Sequence, residues 1–246
     1  RLSLPPLPPT SLVSLPFPLR YSARSKCTRV EIHVLTPDAL RLVHDVPMYG
    51  RIATLELFKP PLEPKHLLFI ATERHAFCVL SYDASRGELI TRASGDLSDR
   101  IGRPSECGQL GVVDPECRCV GLHAYDGLFK IIPMDQRGQL RDAFNVRLEE
   151  LQVIDLTFLH GGARPTLAVL YEDAKEGRHV KTYEVNVAER DLEPGPWAMD
   201  DVEGGSSMII PVPAPLGGAL VIGETVVVYL NGRGDDDDRN DDAGDR

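Results

Sequence analysis

Cys107, Cys117, Cys119 and His123 are soft metal ligands grouped within seventeen positions, and four such side chains could hold a tetrahedral zinc ion. Their spacing argues against it. Cys117 and Cys119 lie two apart on what reads as a strand, facing one side, where a free cysteine is usually a small buried hydrophobe. Structural zinc more often begins with ligands two to four residues apart on a turn. Seven histidines are scattered through the chain. Ser206-Ser207 follows a glycine pair but lacks the G-x-S-x-G elbow that exposes a nucleophile. The phosphate-cradling patterns G-x-G-x-x-G and G-x-x-x-x-G-K are both absent. His160, ahead of Gly161-Gly162, reads as a loop residue rather than a general base. In the Asp-rich tail, a calcium loop starting at Asp236 would have Asp241 where glycine is required, and the chain stops before a twelfth position. That tail reads as a solvated acidic segment, and Arg233-Gly234-Asp235 within it as a chance tripeptide. The expectation is a protein that is not an enzyme, with no catalytic residues, cofactor or metal.

The polar chemistry that remains belongs to recognition. In the loop Asp99–Glu106, Arg100 and Arg103 each carry a planar five-donor fork suited to carboxylates or backbone carbonyls. Pro104 stiffens the loop and lowers the entropy lost on binding. Two readings are open: a protein-binding site at Arg100, Arg103 and Glu106, or arginines that cap a sheet edge and pair with Glu106 or Asp99. Arg147, in AFNVRLEEL, has the same two readings.

The elements that position these side chains are short strands. Alternating apolar residues run from Cys117 to Tyr125, Asp126-Gly127 follows, and Leu128 to Pro133 returns, which predicts a hairpin with a type I′ turn. From about Thr28 to Gly232 the chain alternates apolar runs with turn residues, and its best helical candidate, Asp142 to Val153, is short. Four segments share one plan of strand, loop, strand, turn and returning strand. They start near Ile52, Leu110, Val153 and Met208, at intervals of 58, 43 and 55 residues. Units of that size built from short strands suggest β-propeller blades, with a β-sandwich of hairpins as the alternative.

The chain has 246 residues, 42% of them hydrophobic, and a net charge of −10. Residues 1–26 carry four basic side chains and no acid, and residues 232–246 carry seven Asp against three Arg. The segment between them is therefore strongly acidic, which disfavours general affinity for nucleic acid. Five cysteines at irregular spacing do not form a disulfide framework and suggest a reducing compartment. No apolar run is long enough to span a membrane as a helix. Six prolines within residues 1–19 exclude a continuous helical signal core. Residues 1–27 are thus expected to be a disordered or unrelated leader, 28–232 the folded part, and 233–246 a disordered tail.

RIGRPSE, VDPECR and LHAYDGLFK, with VPMYGRIATLELFKP, FNVRLEELQVIDLTFL, GRHVKTYEV and GPW at Gly195–Trp197, occur in an order that resembles one family. It is the family of the large subunit of the UV-damaged DNA-binding complex, adaptors of cullin-4 ubiquitin ligases, with splicing and polyadenylation relatives. The resemblance implies an all-β fold, an incomplete first β-propeller of about four of seven blades, with the second and third propellers missing. It implies a scaffold that docks WD-repeat substrate receptors, including the small damaged-DNA-binding subunit. The cullin would be reached only through the second propeller, and DNA mostly through the receptor. Ubiquitination and repair of UV-damaged DNA, in nucleus and cytoplasm, are the implied setting. The relatives suggest direct nucleic-acid binding as the alternative. An open ring of blades leaves apolar faces uncovered, so the isolated chain is expected to aggregate or fold only in part.

Overall fold

A computed structural model describes residues 12–14, 20–83, 86–99 and 102–232, and every regular element among them is a β-strand. The chain divides into two compact units, Arg1–Leu151 and Gln152–Arg246.

Three antiparallel sheets build the first unit, each a meander in chain order. The first holds β1 (Leu12–Ser14), β2 (Arg20–Lys26), β3 (Arg29–Leu35) and β4 (Leu40–Pro47). The second holds β5 (Ile52–Phe58), β6 (Leu67–Thr72), β7 (Ala76–Asp83) and β8 (Glu88–Asp96). The third holds β9 (Leu110–Val113), β10 (Cys119–Tyr125), β11 (Leu128–Pro133) and β12 (Phe144–Arg147). The second unit has a four-stranded sheet, β13 (Gln152–Leu159), β14 (Thr166–Glu172), β15 (Arg178–Asn186) and β16 (Asp191–Val202). It also has a sheet of β17 (Met208–Pro211), β18 (Ala219–Ile222) and β19 (Val227–Leu230).

Stacking of sheets explains why some strands read as unbroken apolar runs. All six residues of β6 are buried. Leu67, Phe69 and Ala71 enter a core with Val120, Leu122 and Ile132 of the third sheet. Leu68 and Ile70, on the other face, enter a core with Val30 and Ile32 of the first. A strand covered on both faces needs no polar side, so alternation disappears. In the second unit, Ala168 and Leu170 of β14 pack against Ile209, Ala219 and Val221 in the same manner. These cores supply the stability: truncating a fully buried phenylalanine such as Phe69 costs about 3–5 kcal/mol.

Each of the four repeated segments forms one sheet, and a further sheet precedes them. Its β2 lies inside residues 1–27, read from sequence as a leader, yet it pairs with β3 from Arg20↔Leu35 to Lys26↔Arg29. A tight turn at Cys27, with φ of 52°, joins the two strands. The expected tail, 233–246, lies outside the described residues. The helical candidate at Asp142–Val153 contains instead the strand β12, with Phe144 and Val146 buried and Asn145 and Arg147 exposed. Its period is two, because the third sheet accepts it as an outer strand beside β11.

Candidate docking rim

Of the residues selected from sequence, Arg147 lies on the third sheet and Arg103 and Glu106 on a loop bonded to it, with the β10–β11 hairpin as the frame. Tyr125 and Leu128 pair across Asp126-Gly127. Only Gly127 of the two turn residues has positive φ, at 73°. The turn is therefore not the expected type I′, which needs positive φ at both positions. A register shift between Leu122 and Tyr125 absorbs the difference in strand twist.

At the opposite end of β10, VDPECR forms a structural turn. The fully buried Asp114 accepts from the Arg118 backbone N–H at 3.0 Å and from its guanidinium at 2.7 and 2.8 Å. The sequence placed Cys117 on a strand with Cys119; the structure places it instead in this turn, with φ of 57°. Both thiols are buried. Burial pushes Cys117 up to about 11 and raises Cys119 as well, so both stay protonated at neutral pH. GPW is structural too. Gly195 lies against Thr182 with no room for a Cβ, and the Trp197 N–H donates to the Thr182 hydroxyl at 3.1 Å.

The RIGRPSE loop adds itself to the edge of β10. The Asp126 N–H donates to the Arg103 carbonyl at 2.9 Å, and the Ser105 N–H to the Ala124 carbonyl at 3.1 Å. Tyr125 pins the same loop with its side chain. Its hydroxyl accepts from the Asp99 N–H at 3.0 Å, and its ring lies so close to Gly102 that a Cβ there would sit 2.6 Å from ring carbon. On a neighbouring loop, His75 places its ring centroid 5.0 Å from that of Tyr125.

Arg103 is 73% exposed at the side chain and pairs with Glu106, with Asp126 3.8 Å away. The pairing foreseen as one of two readings is thus present, and the exposed guanidinium keeps donors for a partner. Arg147 is exposed and makes no ion pair among the described residues. It stands opposite Leu128, on the strand beyond β11. Arg103, Glu106 and Arg147 therefore share the hairpin-tip end of one sheet, Arg103 and Arg147 roughly 14 Å apart by three strand spacings. Arg100 lies outside the described residues.

Residues 23–242 match the family model described as the RSE1/DDB1/CPSF1 first beta-propeller. The chain belongs to this family. Its all-β meanders are part of such a first propeller. Among curated relatives, this first-propeller chain is 59% identical over 207 residues to DNA damage-binding protein 1 of Oryza sativa subsp. japonica. It is 60% identical, over the same length, to DNA damage-binding protein 1 of Solanum lycopersicum and to DNA damage-binding protein 1a of Arabidopsis thaliana. Each match covers 84% of this chain and 19% of the relative, so the chain spans about a fifth of those proteins. The match starts inside β2, which places that strand, missed in the sequence, within the first-propeller family.

Three further residues of the rim escaped the sequence: Tyr125, Lys130 and Asn145. Tyr125 was visible as the last apolar residue before the turn, but its hydroxyl serves a backbone N–H 26 positions away. Lys130 and Asn145 form a cross-strand pair on the same face as Arg147, which only the register reveals.

Proposed function

We propose that this chain is a scaffold part of a cullin-RING ubiquitin ligase adaptor that docks WD-repeat substrate receptors, the small damaged-DNA-binding subunit among them, and is itself not an enzyme. The docking residues are Arg100, Arg103, Glu106 and Arg147. The observation that carries this reading is the gathering of Arg103, Glu106 and Arg147 around one rigid hairpin tip, in a chain whose relatives are named DNA damage-binding protein 1. Exposed arginines on a stiff frame are effective anchors, because the fork is planar and the loop loses little entropy on binding. The cullin is met through a second propeller, DNA mostly through the receptor, and the work takes place in nucleus and cytoplasm.

The relatives' name also supports a second reading, direct contact with damaged DNA. The net charge of −10 weighs against it as the main design.

Pull-down of WD-repeat receptors by the full-length protein tests the first reading. Loss of capture with Arg100→Ala plus Arg103→Ala is the expected result, and unchanged capture removes these residues from the interface. Salt-dependent binding of damaged duplex by the chain alone selects the second reading.

A further inference from the structure

Beside the hairpin tip, Leu97, Leu122, Ala124 and Leu128 line the apolar part of a notch, and Asp99, Tyr125, Lys130 and Asn145 border it. The notch has room for about one water-sized sphere. The exposed lining is mostly apolar, with the Tyr125 hydroxyl accepting from the Asp99 N–H and the Asn145 amide reaching Asp99 at 3.4 Å. The group that suits such a lining at the size of one water is a methyl.

The charges around the notch name the flanks of that methyl. Lys130 and Arg147 lie on the same sheet face, opposite Asn145 and Leu128 respectively. Neither makes an ion pair among the described residues, and Asp99, the carboxylate that borders the notch, is reached by the Asn145 amide at 3.4 Å. Leu151, 63% exposed, approaches the turn at Gly127. The floor is stiff, because Leu122 and Ala124 are buried β10 residues and Tyr125 fixes the loop above them.

We propose that this notch is a binding subsite for an acidic protein segment, receiving the methyl of a small aliphatic side chain while flanking carboxylates pair with Lys130 and Arg147. The inference rests on the reading of the rim as a protein-docking surface and adds to it the chemistry of the partner. Local pairing with the two cations selects the partner, and the methyl fixes its register.

The test uses fluorescence anisotropy of the full chain with a labelled peptide, Asp-Glu-Ala-Glu-Asp in a Gly/Ser frame. Binding that weakens with salt is expected. Ala→Gly in the peptide removes one methyl and weakens binding about fourfold. Lys130→Glu, at a half-buried surface position, weakens it at least tenfold. Ala124→Val, which fills the notch, abolishes the methyl preference, and the peptide and Lys130 changes stand if that variant folds poorly. No binding by the folded chain, or equal binding by both peptides and by Lys130→Glu, overturns the subsite. WD-repeat receptors still captured by Lys130→Glu but lost with Arg100→Ala plus Arg103→Ala would leave the adaptor reading standing without the notch. Capture that survives both changes removes the rim itself.

Discussion

The Tyr125 hydroxyl accepts a hydrogen bond from the backbone N–H of Asp99 at 3.0 Å, so one side chain at the end of β10 holds the start of the RIGRPSE loop. The same ring faces Gly102, and the same backbone bridges Pro104. The loop that presents Arg103 is thereby anchored at three points along its length.

Tyr125→Phe keeps the ring and removes the acceptor. It should cost about 1 kcal/mol and speed amide exchange at Asp99, with the hairpin unchanged. Gly102→Ala should do more, since its methyl collides with the ring and displaces the loop. Hydrogen exchange across residues 97–106 checks both. Exchange in Tyr125→Phe equal to that of the parent chain would show that the hydroxyl does not hold the loop.

Asp114 is fully buried and accepts three hydrogen bonds from Arg118. Asp114→Ala removes the acceptor from the backbone N–H and leaves Arg118, itself about a quarter exposed, with one carboxylate fewer. A loss on the order of 3 kcal/mol is expected, read from the denaturant midpoint. A change within 0.5 kcal/mol, on the order of an ordinary surface substitution, would mean that the VDPECR turn does not depend on this pair.

Much of this architecture was legible in the residues, for local reasons. Asp126-Gly127 between two apolar runs is a turn signal that needs no tertiary context, although the turn type followed the register shift at Leu122–Tyr125 instead. Doubly covered strands such as β6 announce themselves as apolar runs. The first sheet did not, because Ala23 is the one buried apolar residue of β2 among those whose side chains are described, and β4 is mostly exposed. The rim was half visible. Arg103 and Glu106 stand out in a polar loop, whereas Lys130 and Asn145 become neighbours only through the pairing of β11 with β12. At Asp142–Val153 the spacing of apolar residues suited a short helix, and the open edge of β11 decided for a strand.

Two carboxyls are held above their ordinary range by burial. Glu56 on β5 is pushed to about 7, and Asp155 on β13 to about 6, although the latter accepts from the Leu156 and Ile209 N–H groups at 2.9 and 2.8 Å. A raised folded-state value means that the folded chain binds more protons than the unfolded one between the two values. The Glu56 contribution is therefore intact below about 4.5 and lost as pH rises through about 7. Glu56→Gln should stabilise the chain at pH 8 by about 3 kcal/mol at most, and by little at pH 4. Asp155→Asn should not match it, because the amide surrenders one acceptor to two buried donors. Melting curves at both pH values decide, and an equal gain at pH 4 and pH 8 would refute the assignment to ionisation.

His123 is fully buried, and neither ring nitrogen has a hydrogen-bond partner among the described residues. Burial lowers its proton affinity, and this outweighs the pull of Asp126 in the opposite direction. The folded chain therefore keeps the imidazole neutral where the unfolded chain protonates it. Stability is unaffected by this group well above 6.5 and declines as pH falls below that value, because the unfolded state then binds the extra proton. His123→Leu, close in volume, removes two unsatisfied polar atoms from the interior of the third sheet. It should raise stability by about 1 kcal/mol or more at pH 7.5 and flatten the decline toward pH 5. Unfolding midpoints of parent and variant between pH 5 and 8 measure both effects. A variant that is less stable at every pH would show that the ring nitrogens have a partner, such as an ordered water, that leucine cannot replace.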